Sequence, residues 1–166
     1  FTLHYAINGG SVTSGSLPAD TLYNVNTSVA VFSSVARTGY TFAGWGNGSS
    51  TIAAGGNFTI VQDSVLTARW TAIDYTISYN SDGGTTPPSS ITRQIGQSYT
   101  IGNAPAKPGH DFTGWKTGTT VVGAGATIVM GSSDVTYTAQ WSPKIYTISY
   151  DWNGGRGTAV SDVSYT

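Results

Sequence analysis

Cysteine and glutamate are absent from this chain of 166 residues, and charged side chains make up only 9% of it. Without cysteine there can be no disulfide and no thiolate metal site. All eight acids are aspartates, dispersed from Asp20 to Asp162, and the only histidines are His4 and His110, so convergent metal donors are scarce. Leucine occurs four times, lysine three times and methionine once, too few strong helix formers for a helical bundle or coiled coil. The seven cations stand singly and the net charge is -1. A nucleic-acid partner needs clustered cations, so none is expected. The longest apolar stretch, Val121 to Met130, has ten residues and is too short to cross a bilayer, so no membrane insertion by this segment is expected.

What the chain has instead is 22 glycines, abundant serine and threonine, and 20 aromatic residues. Together with many valines and isoleucines, this composition suits pleated, half-buried strands. It also carries a repeat. Phe1-Thr-Leu-His-Tyr5-Ala-Ile-Asn-Gly9-Gly10 returns as Tyr75-Thr-Ile-Ser-Tyr79-Asn-Ser-Asp-Gly83-Gly84 and as Tyr146-Thr-Ile-Ser-Tyr150-Asp-Trp-Asn-Gly154-Gly155. Gly39-Tyr-Thr-Phe42-Ala-Gly44-Trp45 returns as Gly109-His-Asp-Phe112-Thr-Gly114-Trp115, and Asp63-Ser-Val-Leu-Thr-Ala68-Arg-Trp70 as Asp134-Val-Thr-Tyr-Thr-Ala139-Gln-Trp141. The offsets are 70, 71 and 74 residues. The pattern divides the chain into a first repeat (1–72), a second (73–143) and the first hairpin of a third repeat cut short (144–166).

In the first strand of each copy, aromatic or aliphatic residues alternate with polar ones, the period of a sheet buried on one face. The Asn-Gly-Gly and Asp-Gly-Gly turns that follow supply the positive φ of a tight reversal. A second strand is expected to return from each turn and to end near Val25, Ile95 and Tyr165. Leu66, Ala68 and Trp70 share one face of the closing strand, as do Tyr137, Ala139 and Trp141, and both tryptophans are expected to point inward.

The three ordered blocks resemble the Listeria-Bacteroides repeat, also called the internalin B-repeat, of bacterial surface proteins. The resemblance covers essentially the whole chain. It implies a compact variant of the β-grasp fold, strung in tandem on secreted or wall-attached proteins, with no catalytic residues assigned. With the repeat spacing and the scarcity of helix formers, the chain is expected to be mainly β, tandem β-grasp-like repeats of about 71 residues with little or no helix, on an extracellular or cell-surface protein. Two departures are local: His110-Asp111 replaces Tyr-Thr in the central motif, and Ala36-Arg37-Thr38 precedes Gly39 without the usual proline.

No catalytic, cofactor or metal residues are assigned. Asn80-Ser-Asp82-Gly83 looks like half of a calcium loop but lacks the later bidentate acid. Asp63 and Asp134 stand just before strands and read as turn residues that accept backbone hydrogen bonds. An enzymatic site should stand out as a departure from the repeat, and none does.

The aromatics pose the main choice. Tyr5, Tyr79 and Tyr150, Phe42 and Phe112, Trp45 and Trp115, and Trp70 and Trp141 recur at equivalent positions, as a shared structural core requires. Tyr23, Phe32, Phe58 and Trp152 do not recur and form the candidate contact surface. The alternative is a carbohydrate-binding module that exposes aromatics as a platform.

Only Thr71-Ala72-Ile73-Asp74 and Ser142-Pro143-Lys144-Ile145 separate successive repeats, so the array is expected to be a stiff rod. The expected role is that of a spacer or stalk with an adhesive or protein-binding surface, and the expected partners are neighbouring repeats of the same chain and a protein or glycan ligand on a host or neighbouring cell. A lone hairpin is marginal in water, so the 144–166 segment is expected to dock on the second repeat or on a neighbouring molecule.

Overall fold

Every regular element is a strand in the computed structural model, which describes residues 1–151, 153–158 and 160–166. Among the described residues there is no helix. The chain forms two compact units: Phe1–Tyr75 with Gln94–Gly96 and Met130–Ser133, and Thr76–Arg93 with Gln97–Val129 and Asp134–Thr166.

The first repeat contains β1 (Thr2–Ala6), β2 (Ser11–Val12), β3 (Thr21–Leu22), β4 (Thr27–Ala30), β5 (Val35–Ala36), β6 (Tyr40–Asn47), β7 (Ser50–Ile52), β8 (Asn57–Ile60) and β9 (Ser64–Ala72). Five of these make a mixed sheet in the order β3-β1-β9-β6-β7, while β2–β5 and β4–β8 form two-stranded pairs. The central β1 and β9 run parallel, with Leu3 opposite Ser64 and Tyr5 opposite Leu66. β6 is antiparallel to β9.

The second repeat follows the same plan with β10 (Asp74–Asn80), β11 (Ile91–Gln94), β12 (Ser98–Thr100), β13 (His110–Thr117), β14 (Thr120–Val122), β15 (Thr127–Val129) and β16 (Val135–Pro143). Its sheet order is β11-β10-β16-β13-β14, and β12 pairs with β15. After it, β17 (Tyr146–Ile148) pairs with β18 (Val163–Tyr165).

The turn glycines act as their sequence requires. Asn8 (φ 44°) and Gly9 (φ 79°) both occupy the left-handed region, as a type I′ turn demands, and the Gly10 N–H donates to the Ile7 carbonyl at 2.9 Å. Asp82–Gly83 and Asn153–Gly154 repeat this conformation. The strand leaving the first turn is not the one that returns beside β1. β2 pairs with β5, and the return comes later, as β3.

Alternation in β9 places Ser64, Leu66 and Ala68 inside and Val65 outside. Leu66 and Ala68 join Leu3, Tyr5 and Trp45 from the sheet, and Val31, Val35 and Ile60 from the covering segments, in one core. Ile77, Tyr99, Ile101, Trp115, Tyr137 and Ala139 are buried in the second repeat.

Regular alternation alone would put Phe42 and Trp45, three residues apart, on opposite faces of β6. A bulge prevents this: Phe42 lies opposite Trp70 and Gly44 opposite Arg69, leaving Ala43 as the extra residue. The bulge recurs between Phe112 and Gly114. Both rings therefore reach the core, with Phe42 and Trp45 centroids 5.5 Å apart in an edge contact. The glycine of the Phe-x-Gly-Trp motif is the residue that permits this, since Gly44 has φ 122° and Gly114 has φ 146°.

Candidate functional surface

Three aromatics of the expected core, Tyr5, Trp45 and Trp115, are buried. Phe42, Trp70, Tyr79, Phe112 and Trp141 are partly buried and stay within aromatic clusters, Phe42 with Trp70 at 5.2 Å and Phe112 with Trp141 at 5.7 Å. Each indole N–H also finds a backbone carbonyl, as a buried tryptophan needs. Trp45 donates to Phe32 O at 2.5 Å and Trp115 to the equivalent Gly102 O at 3.0 Å. Trp70 donates to Ile7 O and Trp141 to Ser81 O. The exception to the core expectation is Tyr150, which is 48% exposed. Among the described residues, β17 pairs with β18 alone.

Of the candidate contact residues, Tyr23, Phe32 and Phe58 are partly buried against the first core, and Trp152 lies outside the described residues. The failure of Phe58 to recur has a packing reason. Phe58 faces Val29 across β4 and β8, while the equivalent pair in the second repeat is Ile128 opposite Tyr99. The large ring has changed strands, and the volume of the pair is kept. Phe32 corresponds to Gly102, where a β-carbon would lie 2.5 Å from Pro88 Cγ; the proline ring occupies that space.

Polar groups that stood out in the sequence also serve the frame. The Asp63 and Asp134 carboxylates accept the Thr2 and Thr76 backbone N–H groups, each at 2.7 Å, so they tie the closing strand to the opening strand of the same repeat. Arg37 and Lys107, at matching positions, donate to the turn carbonyls of Asn8 and Asp82. Arg37 also stacks 4.1 Å from the Tyr40 ring centroid. His4 is exposed and its Nδ1 lies 2.7 Å from Asp20. No cluster of three metal-ligating side chains occurs among the described residues. An open groove of about 530 Å³ in the first repeat is lined by residues of the first turn, β6 and β9, among them Asn8, Gly46, Val65, Arg69 and Trp70. Arg69 donates to the carbonyl of Gly48, which also lines it.

The Tyr99 and Tyr137 hydroxyls meet at 2.8 Å inside the second repeat. Burial, followed by the Tyr137 hydrogen bond, pushes the Tyr99 phenol well above its ordinary value, and burial raises Tyr5 as well. An unfolded tyrosine ionises near pH 10, at about its model value, whereas these folded phenols hold their protons to higher pH. Their contribution to stability is therefore intact below about pH 10 and is lost as pH rises from there towards the folded values. Thermal melts from pH 8 to pH 11.5, values of order set by that reference, are expected to fall steeply at the alkaline end. Tyr99→Phe should flatten that fall, and an equal slope in the variant would contradict the assignment.

A model of the Listeria-Bacteroides repeat domain matches residues 1–69 and 75–140. The chain belongs to the Listeria-Bacteroides repeat family. Two relatives come from Evansella cellulosilytica. One, carrying the name of a Gly-rich membrane protein, is 27% identical over 99% of this chain and 21% of its own length. The other, carrying the name of a membrane protein, is 28% identical over 99% of this chain and 24% of its own length. The chain thus spans about a quarter or less of these relatives. No solved structure matches. The family matches leave residues 70–74 between them, where β9 runs into β10 through Ile73 alone.

Proposed function

We propose that this segment of Listeria-Bacteroides repeats is a non-catalytic, β-grasp-like spacer that sets the reach of a bacterial surface protein. One observation carries the reading. The single connecting residue Ile73 donates its N–H to Gly39 O at 3.0 Å, so the connector is held by the repeat it leaves. Lys144 makes the matching bond to Gly109 O at 2.8 Å. Connectors this short and this bonded restrict bending far more than a glycine-serine tether. The surface location draws support from the membrane-protein names of the relatives.

A carbohydrate-binding module needs an exposed aromatic platform, and the packing of Tyr23, Phe32 and Phe58 on the core argues for the spacer. Small-angle scattering decides the main point. A repeat of this size is about 30 Å across, and the maximum dimension should grow by about that length with each added repeat. Inserting a flexible Gly-Ser segment after Ile73 should broaden the distance distribution. A compact particle whose size does not grow in this way would refute the spacer, and selective hits on a glycan array would favour the module.

A further inference from the structure

The groove of the first repeat departs from the repeat pattern at several neighbouring positions together. Asn8, Gly46, Val65 and Arg69 line it, and the corresponding residues of the second repeat are Asp82, Lys116, Thr136 and Gln140. Glycine inside a strand marks a bulge or the close approach of another group. Gly46 has no positive φ, so its backbone does not call for glycine, and the reason is space. A β-carbon there would collide with Arg69 Nε.

Gly46 lies opposite Thr67, and β6 runs antiparallel to β9. By crossing Gly46 to reach the Gly48 carbonyl, the Arg69 side chain carries its guanidinium back along β9 towards Val65. Val65, Thr67 and Arg69 alternate with the buried residues of β9, so they share one face, and Val65 is exposed. The guanidinium is permanently charged. Its bond to Gly48 orders the side chain before a ligand arrives, which lowers the cost of binding. Among the described residues the ion pairs are His4–Asp20 and Lys144–Asp111, so Arg69 has no carboxylate partner, and no acid lines the groove.

We propose that this groove binds the free C-terminal carboxylate of a peptide ending in an aliphatic residue. The planar fork of Arg69 matches the carboxylate, and Val65 receives the aliphatic side chain. A volume of about 530 Å³ suits a chain end rather than a folded partner. The second repeat lacks the site, because Lys116 stands where Gly46 leaves room and Asp82 brings a negative charge where Asn8 is neutral. The inference goes beyond the spacer reading and does not depend on it.

The probe is N-acetyl-glycyl-valine, titrated into the isotope-labelled chain and followed by amide NMR shifts. Saturable shifts are expected at Gly46, Gly48, Val65 and Thr67, with a Kd of about 1 mM for so small a ligand. The same dipeptide capped as its amide, and N-acetyl-glycyl-glycine, should each bind about tenfold more weakly or worse. Arg69→Gln should lose binding by a similar factor. Combining it with Gly46→Lys installs the pair that the second repeat already folds with and keeps the net charge, and this double variant should bind no better than Arg69→Gln. Absence of saturable shifts, equal affinity for the acid and the amide, equal or tighter binding of glucuronate or inorganic phosphate, or binding retained by the double variant would each overturn the proposal.

Discussion

Trp45→Ala is expected to unfold the first repeat at moderate temperature, and Trp115→Ala the second. Both indoles are fully buried. Each ring makes an edge contact with a tyrosine at 4.9 Å, Tyr5 or Tyr79. Truncating a buried aromatic of this size costs about 3 to 5 kcal/mol. Losing the indole N–H leaves the Phe32 or Gly102 carbonyl without that donor, which adds to the loss. A unit of about 71 residues has only about 4 to 10 kcal/mol in hand. The melting temperature should fall by about 15 to 30 °C, taking the usual shift per kcal/mol for a domain of this size. Leu22→Ala, at a side chain 81% exposed, should change stability by no more than about 0.5 kcal/mol. Calorimetry on the three variants checks the ranking.

The second large effect concerns backbone rather than side-chain volume. Gly44→Ala should cost more than Gly114→Ala, and both more than Gly48→Ala. All three glycines have positive φ, so conformational strain of about 1 to 3 kcal/mol is common to them. They differ in space. A β-carbon at Gly44 would sit 2.5 Å from the Ile52 carbonyl oxygen, which is backbone and cannot swing away. At Gly114 the nearest atom is Val121 Cγ1, also at 2.5 Å, and a methyl group on an exposed side chain can move. At Gly48 nothing lies within 4 Å. If the bulge flattens to relieve the Gly44 clash, Phe42 and Trp45 can no longer both face the core, so this substitution should also alter the near-ultraviolet circular dichroism. Equal costs at the three positions would show that the bulge does not set the tryptophan's direction.

Much of the frame was readable in the residues. The repeat, the turns and the inward tryptophans follow from spacing, because a period of about 71 residues must place equivalent side chains in equivalent surroundings. The bulge was not readable, because Phe-x-Gly-Trp taken as a regular strand sends its two rings to opposite faces. Only the pairing of Phe42 with Trp70 and Gly44 with Arg69 shows the extra residue. Non-recurrence does not by itself mark an exposed ring: Phe58 is partly buried against the first core, and the second repeat carries the large ring on the paired strand instead, at Tyr99. Tyr150 recurs and yet is 48% exposed. Arg37 and Lys107 seemed scattered along the sequence, and only folding brings each to the carbonyl of its turn.

The central claim is that the recurring indoles hold the repeats together and are not offered to a ligand. Acrylamide quenching of tryptophan fluorescence tests it most directly, in a Trp152→Phe background that leaves Trp45, Trp70, Trp115 and Trp141. The account predicts blue-shifted emission and weak quenching that rises only when the chain is denatured. Strong quenching of the folded chain, relieved by a glycan or protein ligand, would contradict it.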